Sequence, residues 1–449
     1  VPRSSSRKLF WVILAGTAVR LAWAASTPGV VFDIASYRFA ATTLLDHGLG
    51  FYGAVNPPGV FRWPYPPAYL PWTLLAHALA PVTGFRFVVA LPAIAADAAL
   101  AVLVARVLDR RGAPERVSLG AACLVAFGPI FALTSGFHGQ IDSLAILPAV
   151  IALDRWTRDC EHRALSAGVL LGIAASIKTP AGLVVLALLP TVRNRREAWV
   201  LVGTMGAVAG SLLAPFALAA PGATLDALRF AGQPGEGGLS LVVQPSLSHL
   251  FVGSPIGVRA SGATLLLHDR GTLLVASLLF AIAALAWRRR AAAQPTAILL
   301  FLTIFVFGAG FAPRYAIWLL PILLIDGRLR AALALQLALL GPDMAVYAGP
   351  LRAHFLLLAY IVVGIATWAV LCGWWVRSVA LLGGDGERLV CYPLLDDRGD
   401  RGNHPHADPR RELPGSRRRG DVPADVREEA GAARGAGHAP IVRGRGDAV

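Results

Sequence analysis

The chain has 449 residues, 56% of them hydrophobic and only 15% charged, with a mean hydropathy of +0.60. Soluble domains sit near about 45–50% apolar and about 25% charged. Repeated long apolar runs therefore define a polytopic, all-α helical membrane protein, and the residue alternation of an outer-membrane barrel is absent. The net charge of +14 lies wholly in residues 1–382, which hold 29 of the 41 basic and 15 of the 27 acidic residues. These bases flank apolar runs instead of striping a polar face, which argues against a nucleic-acid binder. Cys123, Cys160, Cys372 and Cys391 form neither a CxxC pair nor a metal spacing, and no disulfide framework follows.

In chain order, the expected spans lie near 9–27, 86–105, 117–134, 143–154, 165–191, 198–219, 271–287, 296–312, 314–325, 331–348 and 353–376, about 11–12 in all if 165–191 is two short helices. Arg20 inside the first span favours an uncleaved anchor over a signal peptide. Lys178-Thr179-Pro180 breaks the 165–191 segment, because proline cannot continue the helical ladder; a hairpin is expected there. Two long loops remain, roughly 28–85 and 220–270. In the first, a helix over 34–46 follows Asp33, and Pro66, Pro67, Pro71 and Pro81 bracket a helix over 66–80 that lies on the membrane surface. From residue 383 onward the text is rich in Arg, Gly, Asp, Pro and Ala and cannot bury a core. It reads as a disordered cytoplasmic tail, or as the end of a GC-rich gene read out of frame. The domain division is thus 1–382 and 383–449.

The positive-inside rule gives one consistent orientation. With the N-terminus in the cytoplasm, 19 of the 29 bases of residues 1–382 fall in short cytoplasmic segments, among them Arg110, Arg111, Arg193 and Arg288. Both long loops then lie outside. Asp33, the Tyr65-Pro66-Pro67 turn, the His138–Asp142 loop and Arg314 are expected to meet at that outer face, and convergence of separately encoded polar groups is what a site requires.

Asp33 is the candidate general base, with partial desolvation expected to raise its pKa; the plain alternative is an N-cap for the following helix. Arg62 and Tyr65 sit on stiff proline-rich backbone, where aromatic faces suit sugar C–H surfaces or simply a membrane interface. His138, Gln140 and Asp142 are close enough in sequence to bind several sugar hydroxyls, and Asp142 has a capping role as its alternative. Lys178 is an intramembrane charge, by default a functional-site candidate, with snorkelling as the other reading. Arg314, beside Tyr315, is a second phosphate candidate, since a guanidinium matches phosphate bidentately; an interfacial anchor is its alternative. Gln244 and Ser246 offer an amide and a hydroxyl to an acceptor sugar, or serve ordinary turn chemistry. No metal site or cofactor is expected.

The ordered set resembles the GT-C superfamily of polytopic glycosyltransferases. Its members are an Asp in the first outer loop, Tyr65-Pro66-Pro67, Gly139-Gln140-Ile141-Asp142, Lys178-Thr179-Pro180 and Arg314-Tyr315-Ala316-Ile317-Trp318. It is most similar to the bacterial mannosyltransferase branch that includes glycosyltransferase family 87. The resemblance covers roughly residues 8–376. It implies a polyprenyl-phosphate sugar donor, with mannose the sugar the resemblance suggests, a glycolipid or glycan acceptor, a membrane-lipid setting and an extracytoplasmic active site. It also implies Asp33 as base, Lys178 and Arg314 toward the donor phosphate, and Arg62, Tyr65, His138, Gln140, Asp142, Gln244, Ser246 and Tyr315 around the substrates. Asp33-Ile34-Ala35 lacks the second acid of the Asp-x-Asp form, and Gln244-Pro245-Ser246-Leu247 stands where Asn-Gln-Ser-Leu is usual. The rival reading is a multi-pass transporter or lipid flippase, which also uses broken helices but expects internal repeats and polar groups near the bilayer centre. No repeat is visible.

Overall fold

Every element among the described residues is a helix or a helical turn, as the unbroken apolar runs require. The computed structural model describes residues 3–56, 62–158, 160–229, 234–248, 259–347 and 354–382. The expected tail, 383–449, lies outside them. The longer helices are α1 (Arg3–Ser26), α2 (Val31–His47), α3 (Leu70–Thr83), α4 (Phe85–Arg110), α5 (Glu115–Ala126), α6 (Asp142–Thr157), α7 (Arg163–Ile177), α8 (Arg195–Ala219), α9 (Gly262–Arg289), α10 (Ala293–Phe307), α11 (Leu329–Tyr347) and α12 (His354–Leu382).

Seven helices among the described residues are long and apolar enough to cross a membrane: α1, α4, α5 with its extension to His138, α8, α9, α11 and α12. Shorter apolar stretches over 163–177, 179–191, 293–307 and 313–325 pack among them. Helix α10 and the 313–325 segment are almost wholly buried, so a short length is enough there. The expected span at 143–154 is α6, whose 16 residues fall short of the roughly 20 that a lone crossing needs. The outer helices turn apolar side chains outward: Trp199, Leu212 and Leu218 on α8 and Val362 and Val370 on α12 are exposed, as a lipid-facing surface demands.

The first long loop is largely helical. Helix α2 starts earlier than expected, at Val31, and a short turn over Pro67–Tyr69 leads into α3. Helix α7 ends at Ile177, and Lys178 is extended at φ −153°, ψ 119°. A Cβ on Gly182 would lie 2.7 Å from Ala175 Cβ, so the chain folds back on itself there. This is the expected hairpin.

Helices α7 and α8 approach closely because two glycines four apart face α8. A Cβ on Gly168 would meet Leu201 O at 2.7 Å, and one on Gly172 would meet Val208 Cβ at 2.7 Å. Small residues let membrane helices make such backbone contact. Gly172→Leu is therefore expected to force the pair apart at a cost of about 1–3 kcal/mol, read as a lower thermal midpoint in detergent. An unchanged midpoint would show that this seam is not close-packed.

Candidate active site

The site is assembled from chain segments that are remote in sequence. Helix α2 brings Asp33 in its first turn. Val30 is the N-cap and Asp33 makes no capping bond, so the capping alternative does not hold. Asp33 Oδ2 instead pairs with His138 Nε2. His138 ends a π-helical turn, Ala132–His138, that closes on Gly139 at φ +82°. That left-handed turn suits glycine, and it reverses the chain so that Gln140 and Asp142 face the same side.

Two arginines hold this turn. Arg86 of α4 donates to the carbonyls of Gly136 and Phe137, and to that of Ala24 on α1. Arg20 of α1 pairs with Asp97 at 2.9 Å and reaches Ser135 at 3.1 Å. Both charges are buried and partnered, so they fix the π-turn instead of binding solvent.

Gln140 accepts hydrogen bonds from two phenols, Tyr37 at 3.0 Å and Tyr65 at 3.3 Å. Asp142 is fully buried at the start of α6 and also makes no cap bond. Its Oδ1 accepts from Lys178 Nζ at 2.6 Å and from Trp318 Nε1 at 2.6 Å. Lys178 lies over the rings of Tyr315, Trp318 and Tyr65 at 4.8, 5.2 and 5.3 Å. Three aromatic faces and one carboxylate offset part of the cost of burying this ammonium. Arg314 donates to Glu236 at 3.2 Å and lies 5.2 Å over Tyr315.

Asp33, Tyr65, His138, Gln140, Asp142, Lys178, Arg314 and Tyr315 therefore do converge. The other sequence-derived residues make no hydrogen bond to this cluster. Arg62 stacks over Phe39 at 5.1 Å and Phe32 at 6.0 Å, on the α2 surface beside Asp33. Gln244 spends its amide inside its own loop, accepting from Ser261 N and Thr264 Oγ1 and donating to Arg259 O. Ser246 is exposed and no hydrogen bond joins it to the cluster. The expectation that both line the site is not supported by these contacts, because the turn uses the amide for its own closure.

Two electrostatic expectations also change. Burial does push Asp33 upward, but His138, by charge and hydrogen bond, with help from Arg314 and Gln140, outweighs it and holds the carboxyl at about 2. Lys178 and Arg314 were expected to wait for phosphate, yet each already has a carboxylate partner. Free capacity remains: Arg314 Nε and Asp142 Oδ2 are buried without a hydrogen-bond partner. Because Asp33 is depressed in the folded state, its contribution to stability is complete above about pH 4 and is lost as pH falls through about 2. Acid titration should accordingly show that loss in wild type and not in Asp33→Asn; a wild-type loss centred above pH 5 would belong to another group.

Sequence reasoning missed Tyr37, Glu236, Asp343, Tyr347 and the Arg20–Asp97 pair as parts of the site or its support. Arg20, Asp97 and Asp343 carried a usable signal, since each is a charge within an apolar span.

A helical bundle with apolar outer flanks and a buried cluster of carboxylates, cations and aromatic rings defines a polytopic helical membrane protein. The family model for glycosyltransferase family 87 matches residues 63–313, more than half of the sequence, and the chain belongs to that family. It is a membrane glycosyltransferase. No curated protein matches the chain. The match begins after Asp33 and ends just before Arg314, so it does not itself assign their roles.

Proposed function

We propose that the protein transfers a hexose, mannose in the first instance, from a polyprenyl-phosphate donor to a lipid-linked or glycan acceptor, with Asp33 as general base. One observation carries the reading. A single partly accessible carboxylate, Asp33, shares one buried polar cluster with two cations, Lys178 and Arg314. The charge of Arg314 acts on Asp33, so base and anion-binding groups are within electrostatic reach. The tyrosine and tryptophan rings beside them suit the C–H face of a sugar.

A small apolar crevice adjoins the cluster on the Arg314 side. Phe305, Phe311, Leu339, Trp368 and Leu371 line it, and Glu236, the partner of Arg314, stands in its wall.

In the proposed step, Asp33 takes the proton of an acceptor hydroxyl as the oxygen attacks the anomeric carbon. The C1–O bond to phosphate breaks, and its electron pair leaves with the phosphate, which Lys178 and Arg314 stabilise. A departing monophosphate needs less charge neutralisation than a pyrophosphate, so these two cations serve without a metal. Asp142 and Glu236 are each held by a cation, so Asp33 serves as the one base and the displacement inverts the anomeric carbon. The arginine distribution supports a site on the extracytoplasmic face, with the N-terminus in the cytoplasm.

Membranes containing the protein should move label from polyprenyl-phosphate mannose, in preference to the glucose or arabinose donors, into a product of opposite anomeric configuration. The same configuration in donor and product, read by NMR, would remove the single-displacement mechanism.

A further inference from the structure

Behind Asp33 the polar groups continue in line into α11. His138 Nε2 sits against Asp33, and His138 Nδ1 is 2.8 Å from the Tyr347 hydroxyl. Asp343 lies one helical turn before Tyr347. It is fully buried; its carboxyl oxygens make no close hydrogen bond, and the Tyr347 hydroxyl is the side-chain donor that acts on it. The polar groups facing it are Arg314, Tyr347, Glu236 and Tyr360; Arg314 is already engaged by Glu236, and Tyr360 donates to the Glu236 carbonyl. The groups facing His138 are Asp33, Tyr347, Arg314 and Asp142, and Asp142 is held by Lys178. Asp343 is thus a buried carboxyl without a cation of its own. Such a group is kept ionised only at a cost and is ready to take a proton.

We infer that Asp33, His138, Tyr347 and Asp343 form a proton relay, in which protonation of Asp33 discharges His138 onto Asp343 through Tyr347. Two proton placements satisfy the row. In the first, His138 is an imidazolium: Nε2–H donates to the Asp33 carboxylate, Nδ1–H to the Tyr347 oxygen, and Tyr347 O–H turns to the Asp343 carboxylate. In the second, Asp343 carries the proton: Asp343 O–H donates to Tyr347, Tyr347 O–H to Nδ1, and Nε2–H still faces Asp33. The two differ only in where one proton rests, and the total charge is the same. An ionised Asp33 favours the first, because it is the counter-ion of the imidazolium. A neutral Asp33 removes that counter-ion, and the charges of His138 and Asp343 then cancel through Tyr347.

The consequence for transfer rests on Asp33 being the base. A carboxylate paired with an imidazolium is a weak proton acceptor. Moving the His138 charge away as the acceptor proton arrives strengthens the base at the moment it is needed. Tyr347 and Asp343 act through His138 and Asp33 and do not themselves touch substrate.

The test does not depend on a donor. Asp33→Asn imitates the neutral base. In purified protein in lipid nanodiscs, infrared spectra should show a protonated carboxylic-acid carbonyl band that is absent from wild type, gained although one carboxyl has been removed. The band should vanish in Asp33→Asn/Asp343→Asn. An identical carboxylic-acid signal in wild type and Asp33→Asn, or a band that persists in the double variant, overturns the relay. Should the double variant fail to fold, nitrogen-15 NMR of labelled histidine decides. The His138 ring, assigned by its loss in His138→Gln, should be an imidazolium in wild type and a neutral Nε2–H tautomer in Asp33→Asn; an unchanged ring overturns the relay. Either spectroscopic failure leaves the transfer assay standing, and absence of transfer leaves the proton placement standing.

Discussion

Asp33→Asn should reduce sugar transfer by about 10²–10⁴-fold at equal expression, the range a positioned general base supplies. The substitution is nearly isosteric. It leaves an oxygen to accept from His138 and removes only the group that takes a proton. Folding should be little disturbed, because α2 is anchored elsewhere, by Tyr37, which donates to Gln140 and packs edge-on against Trp63 and Tyr69. Asp33→Glu is the informative companion. It keeps the charge but moves the carboxyl, so partial activity would mark a geometric requirement for the base. Transfer unaffected by Asp33→Asn, with the variant as abundant and monodisperse as wild type, would remove Asp33 from the chemistry.

Asp142→Ala is expected to have the largest effect on stability, roughly 3–5 kcal/mol. Asp142 is fully buried and its Oδ1 receives both Lys178 and Trp318. Removing it leaves an uncompensated ammonium between three aromatic rings and strands an indole N–H. The pair also ties three separate elements, since α6 supplies Asp142, the hairpin break Lys178, and the turn after α10 Trp318. Lys178→Met with Asp142→Leu should recover much of the loss, because an apolar replacement of both partners leaves no unpaired charge. Chemical denaturation in mild detergent would check this. If Asp142→Ala stays within about 1 kcal/mol of wild type, the pair is open to water and the buried geometry does not hold in solution.

The architecture was legible because apolar runs and basic flanks are local properties. Pro180 announced the break at Lys178, and the four prolines around 66–81 announced the first-loop turn and helix. Much of the site was legible too, since Asp33, Tyr65, the His138–Asp142 loop, Lys178 and Arg314 each stand out against apolar surroundings. Pairing was not legible. Lys178 finds Asp142 across 36 positions, Arg314 finds Glu236 across 78, and His138 finds Tyr347 across 209. Such partners are chosen by how helices pack, which composition and spacing do not encode. The same gap explains the reversed reading of the Asp33 pKa. Burial was foreseeable, whereas the imidazole that outweighs it arrives from a different span. Gln244 differs for the opposite reason: its hydrogen-bond partners at 259–264 are near in sequence and hold the amide within the loop.

The central claim is transfer from a lipid-phosphate sugar, and purified protein in liposomes tests it most directly. Radiolabelled polyprenyl-phosphate mannose and a radiolabelled nucleotide-mannose would be supplied in parallel, with acceptor lipid extracted from bacterial membranes. The account predicts label moving from the lipid donor only, with one polyprenyl phosphate released per sugar transferred. Transfer from the nucleotide sugar, with none from lipid-phosphate mannose, glucose or arabinose, would contradict it.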